Sequence, residues 1–234
     1  MRYTRSIVFP DYFCTDEDPR TGFEQYLRNQ LATVIPDKAE EITEAVIAQL
    51  GELKRLLETD VEAVLHNDPA VTDAGEVILC YPITLVMQHY RLAHILYQLG
   101  VPRIPRMLTE MAHSRTGIDI HPAAQIGEYF CIDHGTGVVI GETTIIGKHV
   151  VLYQGVTLGA KSFHFDANDK PINEPRHPII EDNVTIYSNS SILGRVRIGH
   201  DTVIGGNVWL TNDVPPYSRV VQSTPDVKCK SNKQ

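Results

Sequence analysis

The sequence predicts an α+β chain: an all-α N-terminal half, then a parallel β-helix of hexapeptide repeats. Three observations predict it. Apolar residues recur at every sixth position between residues 118 and 214, helical apolar stripes fill the stretch before, and Gly117 stands where the period changes. A six-residue period fits neither a helix nor ordinary hairpins. It suits a coil in which each hexad makes one short flat side and one turn. Three hexads close a coil of about 18 residues, and coils stack at roughly 4.8 Å. The expected organisation is a helical domain over 1–116, a β-helix over 117–215 with a projecting loop at 159–177, and a polar tail over 216–234.

Composition bounds the function. A chain of 234 residues with 42% hydrophobic content can bury a core, and its net charge of −8 argues against a general nucleic-acid binder or an anionic-membrane adherent. Cys14, Cys80, Cys131 and Cys229 are scattered, without a C-x-x-C pair, so neither a disulfide framework nor a zinc finger is expected and a reducing cytoplasm is. Ile7-Val8-Phe9 is too short for a signal peptide, and no apolar run approaches membrane length.

In chain order, residues 1–21 read as an irregular, exposed arm with an acidic cluster at Asp16, Glu17 and Asp18. Phe23, Tyr26, Leu27, Leu31 and Val34 share one helical face until Pro36 stops it. Pro36-Asp37 opens a longer helix to about His66, striped by Ile42, Val46, Ile47, Leu50, Leu53, Leu57, Val61 and Val64. Asp68 precedes Pro69 and is pushed out of helical geometry, which by itself marks a helix-ending turn. A helix resumes near Asp73 or Ala74, Pro82 kinks or restarts it, and Ile83, Val86, Met87, Tyr90, Ala93 and Tyr97 form its face up to Gly100. His89 and His94 flank that face as packing residues. Pro102 opens a last short helix to about Arg115.

The coil region carries three apolar frames: Ile120, Ile126, Ile132; then Ile140, Ile146, Leu152, Leu158; then Ile180, Ile186, Ile192, Ile198, Ile204, Leu210. In the third frame small or β-branched residues sit two places earlier: Pro178, Val184, Ser190, Val196, Thr202 and Val208. Glycine often follows the apolar residue, as at Gly127, Gly141, Gly147, Gly159, Gly199 and Gly205, where a positive φ at the corner would need it. The frame breaks twice. Eight residues instead of six separate Ile132 from Ile140, so Asp133-His134-Gly135-Thr136-Gly137 must bulge. The polar stretch from Gly159 to Ile179 must project as a loop, and loops on a rigid scaffold are where chemistry is usually placed. The pattern stops after Leu210, with 212–216 ending the coil.

His134 is the candidate general base, a role that histidine fills near neutral pH. It needs a carboxylate to set its tautomer. Asp133 is adjacent, but neighbours on an extended chain point apart. Asp119, fifteen residues earlier and nearly one coil away, is the favoured partner.

Several motifs then resemble the serine O-acetyltransferase family. They are Asp119-Ile-His-Pro-Ala-Ala-x-Ile-Gly, Asp133-His-x-Thr-Gly-Val-Val-Ile-Gly-Glu-Thr, Arg176-His177-Pro, Tyr90-Arg91-x-x-His94 and Asp68-Pro69-Ala70. The resemblance runs from about Asp60 to Pro215. It implies a left-handed coil, against the usual right-handed crossover. It implies transfer of acetyl from acetyl-CoA to L-serine for cysteine biosynthesis, with no metal. His134 would take the hydroxyl proton and Asp119 would hold its imidazole. Asp68 and Asp133 would meet the serine ammonium, Arg176 its carboxylate, and His177 would line the same pocket. Gly159, Ala160 and Gly206 would contact the cofactor. Trimers with sites between adjacent prisms, hexamers through the helical domains, and inhibition by L-cysteine are also implied.

The chain departs from the family in three places. The loop after Leu158 is longer than the usual short glycine-rich run. Gln222-Ser-Thr-Pro-Asp226 replaces Gly-x-Pro-Ala-Arg, leaving Lys228 and Lys230 as candidate contacts to CoA phosphates. The tail ends in Gln234, whereas the family's docking tail for cysteine synthase ends in isoleucine, which puts that partner in doubt. Three rival functions follow from the same scaffold. One is an acetyltransferase acting on another acceptor such as a sugar hydroxyl or an amine, which would not need Asp68, Asp133 and Arg176. Another is a zinc lyase of the carbonic anhydrase type, which needs three histidines on adjacent faces and would draw on His134, His149, His164 and His177. The last is an inactive scaffold.

Overall fold

A computed structural model describes residues 1–15 and 18–223 of the chain. Seven helices come first: α1 (Arg2–Val8), α2 (Pro19–Ala32), α3 (Ala39–Ala48), α4 (Leu50–Asn67), α5 (Ala74–Cys80), α6 (Pro82–Gln98) and α7 (Ile104–Thr116). Two expectations need correction here. Residues 1–21 are not simply an irregular arm: α1 buries Thr4 and Val8, one turn apart and both 0% exposed. A single i, i+4 pair is too short for periodicity to reveal. The long helix expected from Pro36 begins as a 3₁₀ turn (Pro36–Lys38) and divides at Gln49, beside Gly51, whose lack of a side chain weakens the helix there. The buried stripe continues across the division, from Ile42 and Val46 to Leu50, Leu53, Leu57, Val61 and Val64.

The remaining helix ends follow local chemistry. Asp73 caps α5 by accepting from Glu76 N at 2.9 Å, and the Glu76 carboxylate accepts in turn from Thr72 N. Tyr81 is extended (φ −80°, ψ 135°) because Pro82 follows it, so α5 and α6 are separate helices. Gly117, at φ +71°, closes α7 in the left-handed region.

The second half is a left-handed parallel β-helix of about five coils. The first coil is β1 (Asp119–Ile120), β2 (Gln125–Ile126) and β3 (Cys131–Asp133). The second is β4 (Val139–Ile140), β5 (Ile145–Ile146) and β6 (Val151–Tyr153). The third is β7 (Thr157–Gly159), β8 (Ile179–Ile180) and β9 (Thr185–Ile186). The fourth is β10 (Ser191–Leu193), β11 (Arg197–Ile198) and β12 (Val203–Ile204). β13 (Trp209–Leu210) and β14 (Arg219–Val220) begin and end the fifth. The prism's three faces are the sheets β1-β4-β7-β10-β13, β2-β5-β8-β11 and β3-β6-β9-β12-β14, all parallel. The repeated apolar residues stack in register, Ile120 on Ile140 on Leu158 on Ile192 on Leu210. The residues two places earlier are buried too: Val184, Ser190 and Thr202 are 0% exposed.

The coil runs further than 212–216. Val214 bridges Ile198, and Val220 pairs with Ile204, so the fifth coil closes inside the stretch expected to be tail. The hexad count misses it because Pro215-Pro216 and exposed Tyr217 interrupt the pattern.

The glycines after the apolar positions do not have positive φ. At several of them close stacking requires glycine instead. A Cβ on Gly127 would lie 2.6 Å from Gly147 O, and one on Gly199 would lie 2.4 Å from Pro216 N. The left-handed corner residues are others, such as Tyr129, His149, Asn183 and Asp201 before the β3 face, and Asn189 and Asn207 before the β1 face. At the corner before the β2 face the equivalent positions are Thr143, His177 and Arg195, none of them left-handed, though Gly194 before Arg195 is at φ +91°.

A buried ion pair fastens α4 and α6 to the first coil. Arg91 and Asp60 are 4% and 5% exposed, and the guanidinium donates to both Asp60 oxygens at 2.6 and 2.7 Å and to Gly127 O at 2.9 Å. Tyr90 donates to Ala124 O beside it. Among the described residues no helix is long and apolar enough to cross a membrane.

Candidate active site

The first cluster forms where the β3 face turns into the β1 face. Asp133 ends β3 and His134 follows at φ +56°, projecting outward with its side chain 72% exposed. Gly135 N donates to Asp133 O and Gly137 N to Gly117 O, which pins the two-residue excess as a bulge over the start of β1. Gly135 sits at φ +88° with Ile118 Cδ1 only 2.4 Å from where a Cβ would be, so the bulge needs glycine there.

Asp68 reaches this corner from the end of α4. It is extended (φ −108°, ψ 106°), as the following proline requires. Its carboxylate accepts from Ala70 N at 2.8 Å and from the Tyr81 hydroxyl at 2.7 Å. These two bonds hold its carboxyl below the usual carboxylate range, and nearby His134 acts in the same direction. The same bond pushes the Tyr81 phenol up to about 12. Asp68 and Asp133 both raise the Tyr81 and Tyr153 phenols, so both carboxylates act on the same two rings at this edge.

Within the chain no hydrogen bond joins Asp119 to His134. Asp119, in β1, lies 3.8 Å from Arg106 Nη2, while His134 Nδ1 is 3.7 Å from Asp133 Oδ1, too long for a hydrogen bond.

The second cluster lies at the other edge of the β1 face, where the 159–177 loop returns into β8. His177 is 7% exposed. Its Nδ1 accepts from Thr143 N at 3.1 Å, which leaves the ring proton on Nε2. Burial, then the Arg176 charge, pushes this histidine down to about 4 against the pull of Glu142, so it is neutral at physiological pH. Gly141 makes room for the ring: a Cβ there would sit 2.0 Å from His177 Cδ2. Thr143 Oγ1 accepts from Arg176 N and His177 N, while Arg195 donates to Thr143 O and His177 O. Arg176 donates to Glu142 at 2.6 Å, and its Nε is buried without a hydrogen-bond partner.

The loop itself is an exposed hairpin, with Phe165 bridged to Pro171 and Ile172 N donating to His164 O at 2.8 Å. Phe163 in this loop lies 5.9 Å from the Arg176 guanidinium.

Gly159 and Ala160 lie on the Arg176 edge, where β7 leaves for the loop. Gly206 lies on the His134 edge: counted from the stacked residues Ile132, Leu152, Ile186 and Ile204, it is the position His134 occupies in the first coil. A single chain therefore holds Asp68, Asp133, His134 and Gly206 at one edge, and Gly159, Ala160, Arg176 and His177 at the next. The histidines considered for zinc are dispersed: His149 stacks on Tyr129 at 4.4 Å and His164 pairs with Glu174, while His134 and His177 occupy different edges. Lys228, Lys230 and Gln234 lie outside the described residues.

Sequence reasoning missed Tyr81, Glu142, Thr143 and Arg195. Glu142 and Thr143 belong to the motif around His134, but nothing in the sequence shows that they hold Arg176 and His177 thirty-odd residues later. Tyr81 carries no signal beyond preceding a proline.

Residues 177–212 match the model of the bacterial transferase hexapeptide family (six repeats). The chain is 51% identical over 191 residues to the plasmid serine acetyltransferase of Synechococcus elongatus, covering 81% of this chain and 60% of that protein's length. It superposes on the crystal structure of serine acetyltransferase isoform 3 from Entamoeba histolytica in complex with cysteine at a TM-score of 0.87, with 35% identity, over 99% of this chain and 84% of that one. A serine acetyltransferase solved in complex with CoA superposes at 0.68, with 31% identity, over 86% of this chain and 80% of that one.

Proposed function

The chain belongs to the serine acetyltransferase family, and we propose that it transfers the acetyl group of acetyl-CoA to the hydroxyl of L-serine, forming O-acetyl-L-serine and CoA in cysteine biosynthesis. One observation carries this. Two carboxylates, Asp68 and Asp133, come from separate elements to flank an exposed histidine, and Arg176, with a partnerless Nε, stands on the neighbouring edge. An amino acid needs that pairing of charges; a neutral sugar does not.

His134 accepts the serine hydroxyl proton while the oxygen attacks the thioester carbonyl. The C–S bond then breaks, and the thiolate leaves as CoA after taking that proton. Asp119 is the carboxylate we assign to hold the imidazole; the two make no hydrogen bond in this conformation, so the exposed His134 ring has to turn toward β1 to reach it. Asp68 and Asp133 receive the ammonium. Arg176 receives the carboxylate, with neutral His177 as a hydrogen-bond donor through Nε2. Gly159, Ala160 and Gly206 line the path of acetyl-CoA; the CoA complex of a relative supports that co-substrate.

The two clusters sit on different edges of one prism, so a complete site needs the His134 edge of one copy against the Arg176 edge of another. A trimer of prisms supplies that meeting three times. The cysteine complex of a relative supports L-cysteine as an inhibitor in the serine position. Exposed free Cys14 and Cys80 fit a reducing cytoplasm.

The deciding measurement is thiol release from acetyl-CoA with serine and with sugar or amine acceptors. Serine-dependent release, nearly lost in His134→Ala, is expected. Release with a sugar and none with serine would overturn the acceptor assignment. Asp119→Asn should lower kcat, whereas Asp133→Asn should chiefly raise the serine KM.

A further inference from the structure

We propose that the cavity between α1, the α5–α6 junction and the end of α7 binds a small multivalent oxyanion of the sulfate or phosphate class, and that its occupant acts on the serine site through Tyr81. The second half of this proposal rests on the serine-site reading; the first does not.

Two adjoining cavities of about 290 Å³ each share Arg5, Phe13 and Arg115 as lining. Among the described residues neither cavity is lined by a single aspartate or glutamate. Besides Arg5 and Arg115, the second cavity is lined by Arg2 and Met1, and the neutral polar lining is built in: Gln88 is 1% exposed, His89 2% and Thr84 6%. Arg5, half-buried, donates to Gln88 Oε1 at 3.2 Å and stands 5.4 Å from the Phe13 ring centroid. Neither Arg5 nor Arg115 has a carboxylate partner among the described residues. In contrast, Arg28, Arg55, Arg91, Arg106, Arg176 and Arg197 each do.

In a chain of net charge −8, two guanidinium groups line one cavity pair with no carboxylate partner among the described residues. Burial and the like charge of Arg115 both weaken Arg5's hold on its proton. A bound oxyanion would offset that repulsion. Its tetrahedral oxygens match the planar donor forks of two arginines, and Gln88 and Thr84 add neutral partners. A monovalent anion such as chloride offers no bidentate geometry.

The coupling is through one side chain. Tyr81 lines the same cavity, and its hydroxyl donates to Asp68 at 2.7 Å. Tyr81 is also the extended residue between α5 and α6, so its position is set by how that junction seats against α1 and α7. An anion that draws Arg5 and Arg115 together reseats the junction and alters the donor on Asp68.

The test is isothermal calorimetry on the full chain, with sodium sulfate and sodium phosphate titrated separately against chloride at constant ionic strength, since screening alone must be held fixed. Saturable binding of one or both oxyanions is expected, weakened at least about tenfold in Arg115→Gln, a variant at an exposed position that should fold normally. Arg5→Gln should do the same. Heats indistinguishable from chloride, or unchanged affinity in Arg115→Gln, would overturn the site. Serine KM is then measured with and without the saturating oxyanion, and a several-fold change in the wild type, absent in Arg115→Gln, is expected. Calorimetric binding with an unchanged serine KM overturns the Tyr81 link alone. Because calorimetry does not use turnover, the site is tested even if serine is not the acceptor.

Discussion

Replacing Asp60 by alanine would separate the helices from the prism they position. The Asp60 carboxylate is 5% exposed and occupies two donors of Arg91, which is itself 4% exposed. Without it, a buried guanidinium keeps only the carbonyls of Gly127 at 2.9 Å and Ile126 at 3.4 Å. Leaving one member of a buried pair uncompensated costs about 3–5 kcal/mol, a large share of a typical total stability of about 5–15 kcal/mol. For a chain of this size that corresponds to a thermal midpoint lowered by roughly 6–20 °C. In the double variant Asp60→Ala/Arg91→Met the buried charge is gone. What remains is two carbonyls without their donor, about 1 kcal/mol each, so the double variant should lose roughly 2 kcal/mol and be more stable than Asp60→Ala alone. The assay is denaturant unfolding of the wild type, both single variants and the double variant, together with serine KM, since α4 carries Asp68 at its end. A double variant no more stable than Asp60→Ala, or an Asp60→Ala loss below about 1 kcal/mol, would refute the assignment of this pair as the clasp between helices and prism.

Three further outcomes are expected. Gly141→Ala puts a Cβ 2.0 Å from the buried His177 ring, so it should destabilise by about 1–3 kcal/mol and raise serine KM; a variant with wild-type melting and KM would show that the ring moves freely. Tyr81→Phe removes a donor from Asp68, so the Asp68 carboxyl should titrate higher and serine KM should rise several-fold with kcat nearly unchanged, as read from steady-state kinetics across pH. His177 is depressed from its unfolded value near 6.5 to about 4, so the unfolded chain binds the extra proton between those values. Its contribution is present above pH 6.5 and is lost as pH falls toward 4. His177→Asn, whose Oδ1 can accept from Thr143 N, should flatten the slope of denaturation midpoint against pH in that window.

The hexad frames were legible because stacking repeats one demand at every coil. Each inward position must match the apolar side chain directly above and below, so Ile120, Ile140 and Leu158 announce their register in one dimension. The two frame breaks were legible for the complementary reason, since two extra residues or sixteen cannot be absorbed by a closed coil. The same logic misjudged the glycines. Spacing located them, but only the neighbouring coil shows that Gly127 is required by the carbonyl of Gly147 and not by its own φ. It also missed α1 and the fifth coil's close, where two buried residues or a proline pair leave too few repeats to count.

The sequence by itself determined the prism, the helical half, the bulge carrying His134 and the loop returning at Arg176, because each follows from local spacing or from motifs contiguous in the chain. Only the tertiary structure decided that Tyr81 braces Asp68, that Thr143 and Arg195 lock His177, that Asp119 makes no hydrogen bond with His134, and that the two halves of the site stand on separate edges. Those are contacts between residues far apart in sequence. A coil's period states what faces inward, whereas the chemistry sits at outward-facing corners, where no repeat constrains the side chains and only the fold brings them together.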